Sequence, residues 1–575
     1  MTAHLSLLLG GAAVVTVLVS GGLARRQRTQ PGAAAGSGRT GARRAPAAGG
    51  AAVARSLIGS ARVAAPADGA RWARRADLRP LVCRERPRGR LVIGEEAGRA
   101  LGRRILAAEP AQSIAVVGPT QSGKTTAVAV PAILGWDGPV VAASVKTDLV
   151  RDTLGWRRRC GTVWCFDPVG TTGLPRNRWS PVSAARTWPR ARRVAADLTE
   201  VARGEGTSAD GEFWYATAAK LLAPLLFAAA RSGRTMHDVV RWVDTQETEE
   251  VFDILHEAGV PEALQAARAT WLRDERQRSA VYTTAETVLE PFAEPEAGCA
   301  PGGAFDTPPF GIRAPGGGWG TGASDVITGG EIDPEALFKG AHTLYACAPA
   351  HDQQRLRAVF AALVSQVVHA AFAASARVGR PLDPPLLLVL DEAANIAPLK
   401  ELDGLAATCA GHGVQLVTVW QDLAQVRARY GERAATVVNN HRAKLFLPGI
   451  ADPGTLDFAS HLAGDRELVT PSITHGARGE RTVTTSSQVR RLLPPDTLRR
   501  LPKSTAVLLY GALPPARVRL RPWFSDHELA ARATSLLRTG TRQSRPPRVA
   551  LSGHTRRVRA AGNGRDERYS RFRDR

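Results

Sequence analysis

Lysine is scarce in this 575-residue chain, with seven lysines among 76 basic residues. Methionine occurs twice and aromatic residues make up 6%. The six cysteines (Cys83, Cys160, Cys165, Cys299, Cys347 and Cys409) are scattered, with no Cys-x-x-Cys pair and no Cys/His cluster at zinc-finger spacing. This argues against a cysteine-held zinc site or a disulfide framework. It leaves the thiols as small buried hydrophobes in a reducing compartment. No internal repeat is visible, and no LSGGQ-like signature, which argues against a transporter of the ABC type.

What is abundant is arginine. The net charge of +23 points to nucleic acid or an anionic membrane surface as a partner. Arginine enriched together with alanine, glycine and proline is also what a GC-rich genome produces, and much of the excess lies in the two ends. Charge alone therefore leaves nucleic-acid binding open. The length calls for several domains, and a hydrophobic fraction of 44% is ordinary for a globular protein.

Near the start, "LSLLLGGAAVVTVLVSGGLA" (Leu5 to Ala24) carries no charge and is long enough to cross a bilayer. Arginines follow at Arg25, Arg26 and Arg28, and no Lys or Arg precedes the run. The expectation is a single-pass anchor in the cell membrane with the bulk of the chain in the cytoplasm. A cleaved signal peptide would carry its basic residues on the other side.

The expected organisation is a transmembrane anchor with basic flank at 1–28 and a flexible Ala/Gly/Arg linker at 29–78. The first part of an α/β nucleotide-binding domain follows at 79–182. An all-helical insertion occupies 183–296, the second part of the α/β domain 297–526, and a basic disordered tail 527–575. The fold class is α/β with a parallel-rich central sheet. Short apolar runs at Ser113–Val117, Pro139–Ser144, Gly161–Asp167, His342–Pro349 and Leu386–Leu390 read as strands at helical separations. Phe213–Ala230 and Glu262–Phe292 read as helices, as does Gln354–Ser375.

"GPTQSGKT" (Gly118 to Thr125) fits G-x-x-x-x-G-K-[ST] after a strand and before a helix. Gly118, Pro119, Thr120, Gln121, Ser122, Gly123, Lys124, Thr125 and Thr126 are the candidate nucleotide-binding residues. The glycines let backbone N–H groups turn inward around phosphate, and the helix N-terminus adds its dipole. Lys124 would reach the β- and γ-phosphates, and the Thr125 hydroxyl would ligate Mg²⁺. In a chain so poor in lysine, a lysine at this place argues against a mere glycine-rich turn.

"LLLVLDEAANI" (Leu386 to Ile396) is a buried aliphatic strand ending on two carboxylates. Asp391 is placed for the Mg²⁺ shell and Glu392 for the general base that orients or deprotonates water. Alone, this pattern also describes a strand running into an exposed turn. "QLVTVWQDLAQ" (Gln415 to Gln425) is a further strand that stops on Gln421. Parallel strands present their C-terminal ends along one edge, so Gln421 is a candidate to sense the γ-phosphate or hold the attacking water. Lys146 and Asp148 end another strand on that edge. Arg427, Arg429 and Arg442 are candidates for a cation supplied to the transferring phosphate in trans.

The order of "GPTQSGKTT", "SVKTDL", "VWCFDPVG…NRWSPVS", "FWYATAAKLL", "LLLVLDEAANI" and "LVTVWQDLAQVRARYG…VVNNHRAKLFLPG" resembles the type IV secretion coupling proteins. These are TraG/TraD-like conjugative DNA-transfer ATPases of the RecA/FtsK-like P-loop class. The resemblance covers about Leu91 to Phe524 and includes a segment like the one named for TraM recognition. It implies a membrane-anchored ring, a homo-hexamer, with ATP and Mg²⁺ between subunits. Such a ring pumps single-stranded DNA with its attached relaxase to the proteins of a secretion channel. By position, Lys124 and Thr125 bind phosphate and metal, Asp391 and Glu392 serve metal and water, and Gln421 couples hydrolysis to movement.

The chain departs from its relatives at two places. It shows one apolar run where many relatives have two spans. Cys409–Val414 also lacks the arginine that many carry before the "QLVTVWQ" strand; His412, mostly neutral at pH 7, is a weak substitute. Two other readings stay open: an FtsK-like double-stranded DNA translocase, and a membrane receptor or adaptor that binds ATP without motor activity.

Overall fold

The structure is a computed structural model and describes residues 69–97, 104–203, 209–293, 330–349, 351–395, 399, 401–475 and 481–534. The apolar run Leu5–Ala24 and most of the basic linker and tail lie outside the described residues.

Among the described residues, fourteen strands form two sheets. They are β1 (Val82–Cys83), β2 (Val92–Glu96), β3 (Ile105–Ala107), β4 (Ile114–Val117), β5 (Val140–Ser144), β6 (Val163–Phe166), β7 (Thr343–Cys347), β8 (Leu386–Leu390), β9 (Val414–Trp420), β10 (Ala443–Phe446), β11 (Asp465–His475), β12 (Arg481–Arg491), β13 (Thr505–Tyr510) and β14 (Ala516–Arg519). The main sheet has twelve strands in the order β1-β3-β2-β14-β13-β10-β4-β9-β8-β5-β7-β6. From β10 to β6 every pairing is parallel. Beyond β10 the sheet continues as an antiparallel wing.

The parallel strands are buried at every residue of β4, β5, β7, β8 and β9, as helices on both faces require. Period-2 alternation divides each strand between two cores. In β5, Val141 and Ala143 face one layer of apolar residues, and Val140 and Ala142 the other.

The helices are α1 (Val130–Gly135), α2 (Asp148–Cys160), α3 (Pro181–Ala184), α4 (Trp188–Ala202), α5 (Ala209–Ser232), α6 (Met236–Asp244), α7 (Glu249–Glu257), α8 (Pro261–Trp271), α9 (Glu275–Ala293), α10 (Gln353–Val378), α11 (Leu402–His412), α12 (Leu423–Tyr430), α13 (Ala434–Asn440), α14 (Pro453–Ala463), α15 (Pro495–Arg499) and α16 (His527–Ala533). The stretch from α4 to α9 contains no strand among its described residues. It is built on α5, whose Leu221, Leu222, Leu225 and Leu226 are buried. A capping box joining Thr235 and Asp238 starts α6. Gly211–Ser232 and Arg355–Val378 are long and apolar enough to cross a membrane. Their buried faces, with Leu222, Leu356, Val359 and Leu363 in one apolar cluster, are those of core helices.

Two expected boundaries need correction. The linker was expected to run to residue 78, yet Ala70 N–H donates to Asp465 O at 2.8 Å and Ala73 N–H to Pro515 O at 2.8 Å. The tail was expected to be disordered from 527, yet α16 folds there. Asp526 caps it and pairs with Arg86 at 2.5 Å, Leu529 is buried, and the Arg532 guanidinium lies over Trp156. The hydrophobic pattern around 527 is thin because a single leucine anchors the helix and arginine stems do the rest. Strands β11 and β12 form a separate two-stranded sheet that the sequence pattern did not reveal.

Arg157 ties the edge where β5 and β7 begin. Its guanidinium is fully buried and donates to Thr343 Oγ1, Trp136 O and Gly138 O at 2.7 Å each, and to Ala341 O at 3.0 Å.

Candidate functional site

The site lies at the opposite edge, where β4, β9, β8 and β5 end side by side. In register, Val117 of β4 pairs with Trp420 of β9, Leu390 of β8 with Thr418, and Ala143 of β5 with Leu390. Four sequence segments far apart in the chain therefore deliver their next residues to one place: Gly118, Gln421, Asp391 and Ser144.

The loop after β4 is shaped by backbone. A Cβ on Gly118 would lie 2.8 Å from Leu447 Cβ and 2.8 Å from Ser122 Oγ, so only glycine fits. Gln121 and Gly123 hold φ of 63° and 94°, turning successive N–H groups toward one concavity. Ser122 Oγ donates to Pro119 O at 2.7 Å, while Thr120 is exposed. Lys124 is 8% exposed and donates to Gly118 O at 2.5 Å and Pro119 O at 2.7 Å. Burial pulls its pKa down, and the charges of Asp391 and Glu392 oppose that shift. Thr125 opens a π-helical turn, Thr125–Ala129, that includes Thr126 and runs into α1. A π-turn inside a helix marks functional segments.

Asp391 is 4% exposed. Its Oδ2 accepts from Ser144 Oγ at 3.2 Å and Thr125 Oγ1 at 3.4 Å. Burial, then the neighbouring Glu392, push its carboxyl above the usual range; a cation there would reverse this. Glu392 has φ of +64°, an uncommon backbone state for a non-glycine residue that clusters at functional sites. Ala393 N–H donates to Val419 O at 3.1 Å, which fastens this turn against β9. Lys146 Nζ stands 4.0 Å from Glu392 Oε1. Asp148, at the start of α2, pairs with Arg151 instead.

Gln421 is half-buried. Its N–H donates to Gln425 Oε1 at 3.1 Å. Asp422 caps α12, and its charge also acts on Lys124. Of the basic candidates, Arg427 reaches Asp452 at 3.4 Å, and Arg429 lies on α12. Arg442 is not near Gln421. It precedes Ala443, which pairs with Ile114 at the start of β4, so it sits on the far edge, stacked over Tyr510 and bonded to Glu109 at 2.9 Å. Adjacency to a motif in sequence misled here, because β10 begins where that motif's strand begins, not where it ends. His412 also precedes the start of its strand and stacks on Phe372, with centroids 4.0 Å apart.

The residues fit a nucleotide with Mg²⁺. Backbone N–H groups and a buried ammonium suit phosphate. Thr125, Ser144 and Asp391 offer hard oxygens at mutual distances compatible with sharing an ion or its waters. Among the described residues no group of three His, Cys, Asp or Glu side chains is gathered. Ser144 was missed in the sequence; a lone hydroxyl ending a buried apolar strand at this edge is the signal that marks it.

Two family models match the chain. The type IV secretory system conjugative DNA transfer family matches residues 71–302, and the TraM recognition site of TraD and TraG matches 385–503. A conjugal transfer protein TraG of Escherichia coli is 26% identical over 527 residues, covering 81% of this chain and 77% of the relative. A VirD4 protein of Rhizobium radiobacter is 23% identical, covering 72% and 57%. Among solved structures, the bacterial conjugative coupling protein TrwBdeltaN70 superposes with a TM-score of 0.55 at 19% identity, covering 71% of this chain and 85% of that one. TrwB with ADP and Mg²⁺ superposes with a TM-score of 0.53 at 19% identity, covering 76% and 95%. Both family segments are present in order on this fold, so residues 71–302 and 385–503 are each similar to the matching domain of the type IV secretion coupling proteins.

Proposed function

We propose that the chain is an ATP hydrolase that uses turnover at this edge to move DNA, with an attached relaxase, to a type IV secretion channel. The observation that carries the reading is convergence. Lys124, Thr125, Asp391, Glu392 and Gln421 come from three separate strands and end on one edge. That TrwB has been captured with ADP and Mg²⁺ and with a non-hydrolysable ATP analogue supports nucleotide as the ligand. The names of the TraG relatives support conjugal transfer as the setting.

In this reading backbone N–H groups between Thr120 and Thr126 and the Lys124 ammonium hold the phosphates. Thr125 and Asp391 hold Mg²⁺, which when bound neutralises charge developing on the transferred phosphoryl group. Glu392 takes the proton of the attacking water, and Gln421 orients that water or senses the terminal phosphate. The single-pass membrane anchor at Leu5–Ala24, the hexameric ring and the trans cation from Arg427 or Arg429 belong to the same proposal. So does the reading of the α4–α9 stretch as an inserted domain facing the cargo.

The test is ATP turnover by the full-length chain with and without single- and double-stranded DNA, at several protein concentrations. Turnover that rises with DNA and concentration and is lost in Lys124→Ala supports an assembling DNA motor. Stronger stimulation by duplex DNA shifts the reading to a double-stranded translocase. Nucleotide binding without turnover under every condition overturns the motor and leaves a receptor.

A further inference from the structure

We propose that His441 is a positioning residue for the nucleotide site, acting through Thr418 and Trp420 on the strand tip that holds Gly118 and carries Gln421. The turnover part of this proposal rests on the hydrolase reading above.

Thr418 lies inside β9 and is completely buried, as is His441 just after α13. A buried hydroxyl and a buried imidazole each need partners, and they find one another at 3.0 Å between Thr418 Oγ1 and His441 Nε2. The direction of every bond follows from chemistry. His441 Nδ1 lies 2.7 Å from Val437 O. A carbonyl only accepts, so Nδ1 carries the proton and Nε2 is the acceptor. Thr418 therefore donates its hydrogen to Nε2. Its oxygen accepts from Trp420 Nε1–H at 2.8 Å. Thr418 and Trp420 are two residues apart on one strand and share a face, which lets the indole reach the hydroxyl.

The chain of bonds runs Trp420 to Thr418 to His441 to Val437, and every donor in it is used. A phenyl ring would fill the same space without direction. The network instead fixes one orientation of the Trp420 side chain at the last residue of β9.

Trp420 is held on its other sides too. Its carbonyl accepts the Gly118 N–H at 3.1 Å, and its ring meets the Tyr430 ring edge-on at 6.2 Å. The next residue is Gln421. The His441 carbonyl in turn accepts from Lys444 Nζ at 2.7 Å. One residue thus joins the start of the phosphate loop to the candidate sensor, and its orientation is set from α13. Protonation of Nε2 would leave the Thr418 hydrogen with no acceptor. Burial keeps the ring neutral by pulling its pKa down to about 4.

The experiment uses the full-length chain with His441→Phe, Thr418→Val and the double variant. Amide hydrogen exchange is measured with a non-hydrolysable ATP analogue bound, alongside analogue affinity and ATP turnover per bound nucleotide. The relay is supported if both single variants speed exchange in the peptides spanning Gly118–Lys124 and Val414–Gln425 while Leu386–Leu390 is unchanged. Turnover per bound nucleotide should then fall about tenfold, in line with a small misplacement of a reacting group. Affinity should change by less than about threefold, and the double variant should be no worse than the worse single one.

Exchange at those two peptides equal to wild type, or loosening spread over the whole sheet, overturns positioning in favour of ordinary core packing. Additive losses overturn a single relay. If the wild type binds the analogue but never turns over ATP, the hydrolase reading fails, while the exchange measurement still decides the relay.

Discussion

The backbone N–H of Gly118 donates to the carbonyl of Trp420 at 3.1 Å, so the phosphate loop begins where the strand bearing Gln421 ends. Nothing that moves one leaves the other untouched. Gly118 itself has no room for a side chain, since a Cβ there would stand 2.8 Å from both Leu447 Cβ and Ser122 Oγ. Gly118→Ala is expected to weaken nucleotide binding and to lower stability by about 1–3 kcal/mol through overpacking. Equilibrium nucleotide binding and chemical denaturation on the same preparation check both effects.

Removing the amine of Lys124 takes away the cation of the phosphate loop, leaving the carbonyls of Gly118 and Pro119 without that donor. Lys124→Ala is expected to abolish turnover and to weaken ATP binding at least tenfold, with the fold kept. Titration with a fluorescent ATP analogue and circular dichroism separate the two.

Glu392 and Asp391 stand next to each other in sequence but in different surroundings. If Glu392 is the general base, Glu392→Gln keeps nucleotide affinity and loses about 10²–10⁴-fold in kcat. Asp391→Asn should instead weaken the dependence on Mg²⁺, because its Oδ2 is the atom facing Thr125 and Ser144. A Mg²⁺ titration of nucleotide binding distinguishes the two carboxylates.

Arg157 is far from the site but holds the opposite edge. Arg157→Met strips donors from Thr343, Trp136, Gly138 and Ala341. A loss of about 3 kcal/mol in folding stability is expected, since buried acceptors are left unpaired. Denaturant titration reads it, and nucleotide affinity at low temperature should remain near wild type.

The pH response follows from His441. Its pKa is about 4 in the folded chain against about 6.5 unfolded. The unfolded state therefore takes up the proton first as pH falls. The neutral ring's contribution is whole above about pH 6.5 and is lost progressively toward pH 4, about 3 kcal/mol in all. Asp197, raised to about 6 by burial, works in the opposite sense in that window, but it is common to wild type and variant. The stability difference between wild type and His441→Phe is expected to shrink as pH falls from 7 to 4, which parallel denaturation series at stepped pH measure.

Much of the α/β sheet was legible because buried parallel strands write themselves as unbroken apolar runs. Leu386–Leu390 is a strand from its first aliphatic residue to its last, and Val140–Ser144 departs from its sequence reading by one residue. The antiparallel wing was harder to see. Strand β2 contains Gly94, Glu95 and Glu96, and Glu95 is buried because Arg521 reaches it at 2.8 Å. One of its carboxylate oxygens is bonded by a partner more than 400 residues away. The hairpin β11–β12 is rich in Thr, Ser and Arg and carries no sustained apolar alternation to mark it.

By itself the sequence determined the chemistry on offer: a glycine-rich loop with one of the few lysines, two carboxylates after an aliphatic strand, and a glutamine at the end of another. Those are local facts, set by residue type and spacing of a few positions. Which of them meet is a matter of strand order. The tertiary structure put β9 between β4 and β8, so that Gln421 falls beside both Gly118 and Asp391. It also sent Arg442 and His412 to the far edge, although each is close in sequence to a site motif. Parallel strands carry no mark of their neighbours or of which end is shared. That information resides in the packing of helices across both faces, and only the folded chain expresses it.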